Sequence, residues 1–173
     1  WGTTKITVER DVIDPNATCQ SAGILSTGVG DRADLVFFDD PCNLRNTVLF
    51  PALREPVIQA YEQVWLPLLS AEGRQWYLAT PWHNSDLTAL LKKRWRDDPD
   101  ACVLELHVGQ SLEITSEGKV LDIAETDEKF LPIWSEQWNA EDLEARCRDM
   151  GSRSYDMAYR CRAMADDEII FKD

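Results

Sequence analysis

The stretch of sequence that decides the fold reads Ala33-Asp34-Leu35-Val36-Phe37-Phe38-Asp39-Asp40-Pro41. Its run of large apolar residues, β-branched and aromatic among them, predicts a strand buried on both faces, as at the centre of a parallel α/β sheet. Two carboxylates follow at once, and we expect Pro41 to end the strand. Because α/β proteins bind ligands beyond the carboxyl ends of such strands, Asp39 and Asp40 are the first candidate site residues.

Helix and strand signals alternate after this stretch. An apolar stripe predicts a helix over residues 54–69 with a kink or early end near Pro67. Glu72-Gly73 predicts a turn, and residues 76–79 predict a second buried strand. A helix follows, for which Asn84 or Ser85 is the expected N-cap, with Asp86 in its first turn. The order strand, helix, strand, helix predicts an α/β fold built on a parallel sheet.

Weaker signals flank this region on both sides. They predict short strands at 6–8 and 18–25, a strand at 102–108, a β-hairpin around 116–119, a helix from Asn139 to Met150 stopped by Gly151, a helix over 152–164, and the start of a strand at 169–171.

Charge and composition limit the function classes. The 173 residues carry 18 basic and 31 acidic side chains, for a net charge of −13. Such a surface repels phosphate backbones, so the bulk surface is not expected to wrap nucleic acid. Much of the acid lies at 97–128, which predicts a solvated acidic insertion rather than a metal site. No apolar run reaches the roughly 18 residues of a membrane helix, so no membrane role is expected.

The thiols and imidazoles do not form a recognisable cluster. Five widely spaced cysteines without a C-x-x-C pair predict buried or half-buried thiols in a reducing cytoplasm rather than a disulfide framework or a zinc site. Two histidines, His83 and His107, are too distant in sequence for a local metal pair. Any divalent cation would therefore be held by oxygen ligands.

Two short motifs carry candidate chemistry. In Phe37-Phe38-Asp39-Asp40 the spacing suits a Walker B strand, in which one acid holds Mg²⁺ and the other orients or deprotonates water. The alternative without a catalytic role is a strand end that exposes two solvated acids at a loop. In Ala79-Thr80-Pro81-Trp82-His83 the hydroxyl is suited to sensing a γ-phosphate. The alternative is an ordinary strand-to-helix turn in which Trp82 fills the core.

These motifs in combination resemble the large terminase subunit of tailed bacteriophages over residues 30–41, 65–74 and 79–87. The segment that leads out of the ATPase domain of that family is similar to residues 131–143 and 150–155. The resemblance implies a partial P-loop NTPase-like, three-layer α/β/α domain with an acidic β-hairpin insertion and C-terminal helices. It implies that Asp39 is the Mg²⁺ ligand and Asp40 the catalytic carboxylate, although many relatives carry Glu there. Thr80, Trp82 and His83 would form the coupling motif. Arg32 would contact phosphate or a neighbouring subunit, or would be a loop arginine without either role.

By the same resemblance, the intact protein would use ATP and Mg²⁺ to package double-stranded DNA into procapsids. Its expected partners are that DNA, the portal protein, the small terminase subunit and further copies of itself in a ring. Its expected location is the cytoplasm of the bacterial host, at the procapsid portal.

The sequence contains no G-x-x-x-x-G-K-[ST] phosphate loop. We therefore expect residues 1–165 to be the second half of an ATPase domain, and 166–173 to begin a linker toward a nuclease domain. Such a segment would be inactive alone. The strand at 76–79 would lack the neighbour that carries the phosphate loop, which predicts marginal stability or self-association.

Two other functions stay open at this point. A helicase-like ATPase also pairs an acidic strand end with a small hydroxyl motif, although the Trp82-His83-x-x-Asp86-Leu87 continuation favours terminase. A non-catalytic α/β module that binds a protein partner through its acidic insertion is favoured by the lack of a phosphate loop.

Overall fold

A computed structural model describes residues 4–11, 16–26, 32–126 and 128–165. The chain is a mixed α/β protein that divides into two compact units, Trp1–Ala79 and Thr80–Asp173. The strands are β1 (Lys5–Ile6), β2 (Cys19–Gln20), β3 (Ala33–Asp39), β4 (Leu69–Leu78), β5 (Gln110–Ile114) and β6 (Val120–Glu125). The α-helices are α1 (Arg54–Ala60), α2 (Leu87–Trp95), α3 (Ala140–Met150) and α4 (Ser152–Arg160).

The amino-terminal unit is organised by the parallel pair β3 and β4. In this pair Phe37 lies opposite Trp76, and Asp39 lies opposite Leu78. The predicted strands at 6–8 and 18–25 are shorter than expected, since only β1 and β2 form there, as an antiparallel pair. The expected parallel α/β arrangement is therefore present as two strands joined by a helical crossover.

The helix predicted at 54–69 is confirmed, but its hydrogen-bonding pattern changes from α-helical to π-helical to 3₁₀ along its length. After a π-helical turn at Arg45–Leu49 and a 3₁₀ turn at Pro51–Leu53, α1 runs to Ala60. The chain continues as a π-helical turn, Tyr61–Trp65, and a 3₁₀ turn, Leu66–Leu68. Proline is tolerated in that final turn because helices accept it where an amide hydrogen bond is not required.

One face of the β3–β4 sheet packs on this crossover. The Phe38 side chain is 6% exposed, and its ring centroid lies 5.2 Å from that of Tyr61 and 5.9 Å from that of Tyr77. The Tyr61 hydroxyl donates to Oε1 of Gln75 at 2.8 Å. These contacts hold the crossover against the strands from a single side.

The prediction that β3 is buried on both faces is wrong. Leu35 and Phe37 are 56% and 53% exposed, and on β4 Trp76 and Leu78 are 65% and 61% exposed. Alternate residues of paired strands point to the same side, so these four form one uncovered apolar face. The described residues supply a helical layer on the opposite face only.

The turn predicted at Glu72-Gly73 is also wrong, because both residues lie inside β4. The register slips there: Ala33 lies opposite Leu69, but Leu35 lies opposite Arg74. A Cβ on Gly73 would come within 3.0 Å of the Ser70 backbone and 3.1 Å of the Ala33 carbonyl oxygen. The glycine therefore permits a bulge rather than a chain reversal.

The carboxyl-terminal unit contains helix α2, an acidic hairpin and the helices α3 and α4. Strands β5 and β6 pair antiparallel, and the turn predicted at 116–119 is confirmed by Gly118 at φ 80°. Helix α3 is capped by Asn139, whose Oδ1 accepts from the amide of Asp142, and ends at Gly151 at φ 84°. A core of Val108, Leu143 and Tyr155 joins these elements, with Phe130, Trp138, Cys147 and Tyr159 packed against it.

Three other predictions in this unit need correction or stay open. Residues 102–108 form no strand, and Val103, Leu104 and Leu106 are exposed, since no described strand pairs with them. Helix α4 ends at Arg160 rather than 164, because Cys161 adopts the left-handed conformation at φ 50°. The strand predicted at 169–171 lies outside the described residues.

All five cysteines are free thiols. Cys42 is buried and Cys147 and Cys161 are half-buried, as predicted, but the prediction is wrong for Cys19 and Cys102, which are exposed. None of the helices in the described part of the chain has the length and apolar character needed to cross a membrane.

Candidate functional site

The two acids predicted as site residues lie at the carboxyl end of the parallel strand pair. Asp39 is the last residue of β3, and Asp40 follows it with its amide donating to the Leu78 carbonyl at 2.9 Å. Both side chains are exposed. The structure therefore brings the acid pair, Asp39 and Asp40, to the end of the strand that leads into the second motif.

The backbone of Asp40 is strained. Its φ of 44° lies in the left-handed region, and Cys161 is the only other non-glycine residue with positive φ among those described. For an L-residue this conformation costs about 1–2 kcal/mol, and aspartate is one of the few residue types that adopt it. Strain of this kind persists only where surrounding contacts determine the conformation, and the residues that follow Asp40 provide such contacts.

Residues 41–47, which we call the support turn, carry a reciprocal pair of asparagines. The Asn43 side chain accepts from the amides of Arg45 and Asn46 at 3.0 and 3.1 Å. In return, Oδ1 of Asn46 accepts from the Asn43 amide at 2.8 Å. This arrangement is an asparagine version of the capping box, and it fixes where the helical crossover begins.

The Asn46 side chain also reaches back toward the acids. Its Nδ2 donates to the Pro41 carbonyl at 2.9 Å, and the side chain is 6% exposed. Thr47, 1% exposed, donates from its hydroxyl to the Asn43 carbonyl. Nε of the buried Arg54 donates to the Thr47 carbonyl at 2.6 Å, which ties the support turn to the first residue of α1.

A sulfur contact backs the support turn from the sheet. Cys42 is fully buried, and the Tyr77 hydroxyl lies 3.8 Å from its Sγ. Because Tyr77 also packs on Phe38, the support turn is held to the buried face of both strands. Sequence reasoning missed this framework, although the Asn43-x-x-Asn46 spacing is the signal that would have indicated it.

Arg32, the cationic candidate, lies at the other end of the strand. It immediately precedes β3, and Asp39 is the last of the seven residues of that strand. At about 3.3 Å per residue the two ends of β3 are about 20 Å apart. Arg32 is exposed there. The structure therefore does not bring Arg32 to the acid pair of the same chain.

The remaining candidates belong to the carboxyl-terminal unit. Thr80 and Trp82 are half-buried, and His83 is 1% exposed. Nδ1 of His83 accepts from the Ser85 amide at 3.0 Å. The backbone of this motif is joined to a later segment, since the Met164 amide donates to the Trp82 carbonyl at 3.1 Å.

Asp86 organises the turn of this second motif, which sequence reasoning did not foresee. It is the N-cap of α2, rather than Asn84 or Ser85. One carboxylate oxygen accepts from the Ala89 amide at 2.9 Å, and the other accepts from the amides of His83 at 3.0 Å and Trp82 at 3.3 Å.

Asp86 is 1% exposed, and this burial raises the pKa of its carboxyl group above the usual value. The three backbone amides oppose that shift because they favour the charged form. With both oxygens occupied by backbone donors, Asp86 has a structural role.

The acid pair has the donor chemistry that suits Mg²⁺. Hard carboxylate oxygens are its preferred protein ligands, and Mg²⁺ keeps several waters or takes phosphate oxygens for the rest of its shell. In the ranges that the structure describes, no group of three or more His, Cys, Asp or Glu side chains is placed to enclose a metal ion. A cation at Asp39 and Asp40 would therefore take its remaining ligands from water and phosphate.

Comparison of the chain with protein-family models and with curated proteins finds no match.

Proposed function

We propose that this chain is a segment of the large terminase subunit of a tailed bacteriophage, and that it carries the Walker B acids and the coupling motif of the packaging ATPase. The observation that carries the proposal is the parallel pairing of β3 and β4, in which Asp39 lies opposite Leu78. Strands paired in this way end at the same edge of a sheet. The acids thus end one strand, and the neighbouring strand leads into Thr80.

The roles proposed for the two acids are those that the resemblance implies, and the backbone is compatible with them. Asp39 is the last residue of a hydrogen-bonded strand, and its carboxylate suits the Mg²⁺ ligand. Asp40 follows on a strained turn and suits the carboxylate that orients or deprotonates the attacking water. Nucleotide binding in this proposal requires a phosphate loop from elsewhere in the intact protein, because these 173 residues contain none.

The second motif fits the same proposal through its fold. In Thr80-Pro81-Trp82-His83-Asn84-Ser85-Asp86-Leu87 the final Asp-Leu pair is the N-cap and first residue of α2. The buried Asp86 fixes the backbone at Trp82 and His83, two of the three proposed coupling residues. A coupling element has to transmit phosphate state as motion, which needs a turn of defined shape.

The wider proposal keeps the chemistry and partners of the family. ATP would be hydrolysed with Mg²⁺, the full-length protein would form a homo-oligomeric ring, and it would move double-stranded DNA through the portal with the small terminase subunit. A nuclease domain would follow the present segment. Residues 1–165 would belong to the ATPase domain, and a linker would begin at 166.

The test uses the full-length protein that contains this segment. Asp40→Asn should lower the ATP hydrolysis rate by at least about 100-fold, as expected for loss of a positioned general base. Nucleotide affinity should change little, because the binding residues lie elsewhere. DNA packaging should fall with it, measured as nuclease-protected DNA in procapsids.

Asp122→Asn on the acidic hairpin is the matched control, since it removes the same charge from an exposed acid. It should hydrolyse ATP and package DNA at the wild-type rate. Equal rates in the Asp40→Asn variant and the control would refute the proposal.

The non-catalytic alternative has one supporting observation. Glu113 lies directly opposite Asp122 across the hairpin, and both are exposed, so the strands present like charges together. A basic protein partner would relieve that repulsion. If the full-length protein neither binds nor hydrolyses ATP while the hairpin binds a basic protein, this alternative replaces the terminase proposal.

A further inference from the structure

We propose that Asn46 is a positioning residue for the acid pair, which holds the Asp40–Pro41 backbone in the conformation that the proposed hydrolysis needs. This inference rests on the proposed function, and it adds a residue that neither motif contains. Its basis is the pair of hydrogen bonds made by the buried Asn46 side chain. One goes to the Pro41 carbonyl, directly after the acids, and the other comes from the Asn43 amide at the start of the crossover.

The orientation of the Asn46 amide is determined by its partners. Its Oδ1 faces the Asn43 N–H, and its Nδ2 faces the Pro41 C=O. Only an amide satisfies both, because one partner is a donor and the other an acceptor. An aspartate of the same shape would keep the Asn43 contact and set two oxygens against each other at Pro41.

The Pro41 carbonyl is the point through which Asn46 acts on Asp40. Proline already fixes its own φ, so holding its carbonyl leaves the peptide plane after Asp40 little freedom. At the other side, the Asp40 amide is held by the Leu78 carbonyl. With both ends fixed, Asp40 remains at φ 44°. Without the Asn46 donor, we expect the turn to relax and both carboxylates to change direction.

Burial makes this contact more than a surface hydrogen bond. Asn46 and Thr47 are nearly inaccessible, and Arg54 anchors the next carbonyl. Water therefore has little access to replace a lost donor at Pro41. The support turn is thus built to resist displacement when charge develops beside the acids.

The experiment compares Asn46→Asp with Asn43→Asp in the full-length protein. The two variants add the same charge three residues apart, and Asn43→Asp keeps its role as acceptor from two amides. Asn46→Asp should lower kcat by about 10- to 100-fold with KM for ATP changed less than about threefold, as a small displacement of catalytic groups does. It should also raise the Mg²⁺ concentration at half-maximal rate. Asn43→Asp should stay within about twofold of wild type in each quantity.

Asn46→Ser is the second variant, in case the buried charge prevents folding. It is neutral and too short to reach Pro41, so it should show the same shift in Mg²⁺ dependence. A purely structural role would lower the melting temperature and the active fraction, but would leave the Mg²⁺ half-saturation of the folded molecules unchanged.

The results separate the two claims. If the wild-type protein hydrolyses ATP and both Asn46 variants keep the kcat and Mg²⁺ dependence of Asn43→Asp, the positioning role is overturned and the proposed function stands. If the wild-type protein does not hydrolyse ATP, the proposed function fails and this inference fails with it.

Discussion

The support turn in the amino-terminal unit and the turn at Asp86 in the carboxyl-terminal unit each follow a strand and start a helical segment, yet they use carboxylates in opposite ways. In the first, the neutral amide of Asn46 is buried and the two acids are exposed. In the second, the acid itself is buried and both of its oxygens accept backbone hydrogen bonds. The carboxylates of the first turn are thus exposed to solvent, whereas the carboxylate of the second is enclosed by the chain.

This difference supplies a physical criterion for reading acids in a sequence. A carboxylate whose oxygens are occupied by backbone donors is part of the scaffold, while one supported from behind by neutral groups can accept a cation. The acids of the hairpin, Glu113 and Asp122, are exposed, but they sit on strand positions without buried polar support. Exposure alone therefore does not make a site.

The largest expected effect breaks the second turn. Asp86→Ala leaves three backbone amides without their carboxylate acceptor. Two of them belong to the half-buried Trp82 and the buried His83. We expect a loss of about 3 kcal/mol in the free energy of unfolding, from the cap and the unsatisfied donors together. Urea unfolding measures the loss, and hydrogen exchange of the α2 amides localises it.

Asn139→Ala is the control for this variant, since Asn139 caps α3 through one amide at an exposed position. It should cost about 1 kcal/mol. Equal losses in the two variants would mean that Asp86 is an ordinary cap.

A smaller effect of opposite sign is expected in the first turn. Asp40→Gly removes the steric cost of φ 44°, so the free energy of unfolding should rise by about 0.5–1 kcal/mol while hydrolysis by the full-length protein is lost. Glu117→Gly, at an exposed turn residue without positive φ, should not stabilise the chain. A destabilised Asp40→Gly variant would show that the turn does not store strain.

The smallest effect concerns the hairpin. Asp122→Asn removes the like charge opposite Glu113, so it should stabilise the chain by about 0.3 kcal/mol at low salt. The gain should disappear near 1 M salt, where the screening length is about 3 Å. A gain that survives high salt would point to packing rather than charge.

The sequence predicted those features that depend on local chemistry. The strand before Asp39, the crossover helix, the hairpin turn at Gly118 and the Asn139 cap each follow from periodicity or from a residue with a backbone preference. Features that depend on distant partners were not predictable. Leu35 and Phe37 look buried in sequence but need a second covering layer, and residues 102–108 have strand character but need a neighbour.

The site divides along the same line. Asp39 and Asp40 are visible in the sequence because an apolar run ends in acids. The role proposed for Asn46 is not visible there, because its partner at Pro41 is a backbone carbonyl that any residue supplies. Asp86 was expected inside the first turn of α2 and is instead its N-cap. Capping preference alone does not choose among Asn84, Ser85 and Asp86.

The most direct test of the central claim is a crystal structure of the full-length protein with Mn²⁺ and a non-hydrolysable ATP analogue. Anomalous scattering locates the metal without ambiguity. We expect a Mn²⁺ peak at about 2 Å from an Asp39 oxygen, or at about 4 Å through one water, close to the phosphates. A metal–nucleotide complex bound elsewhere, with the acid pair facing bulk solvent, would contradict it.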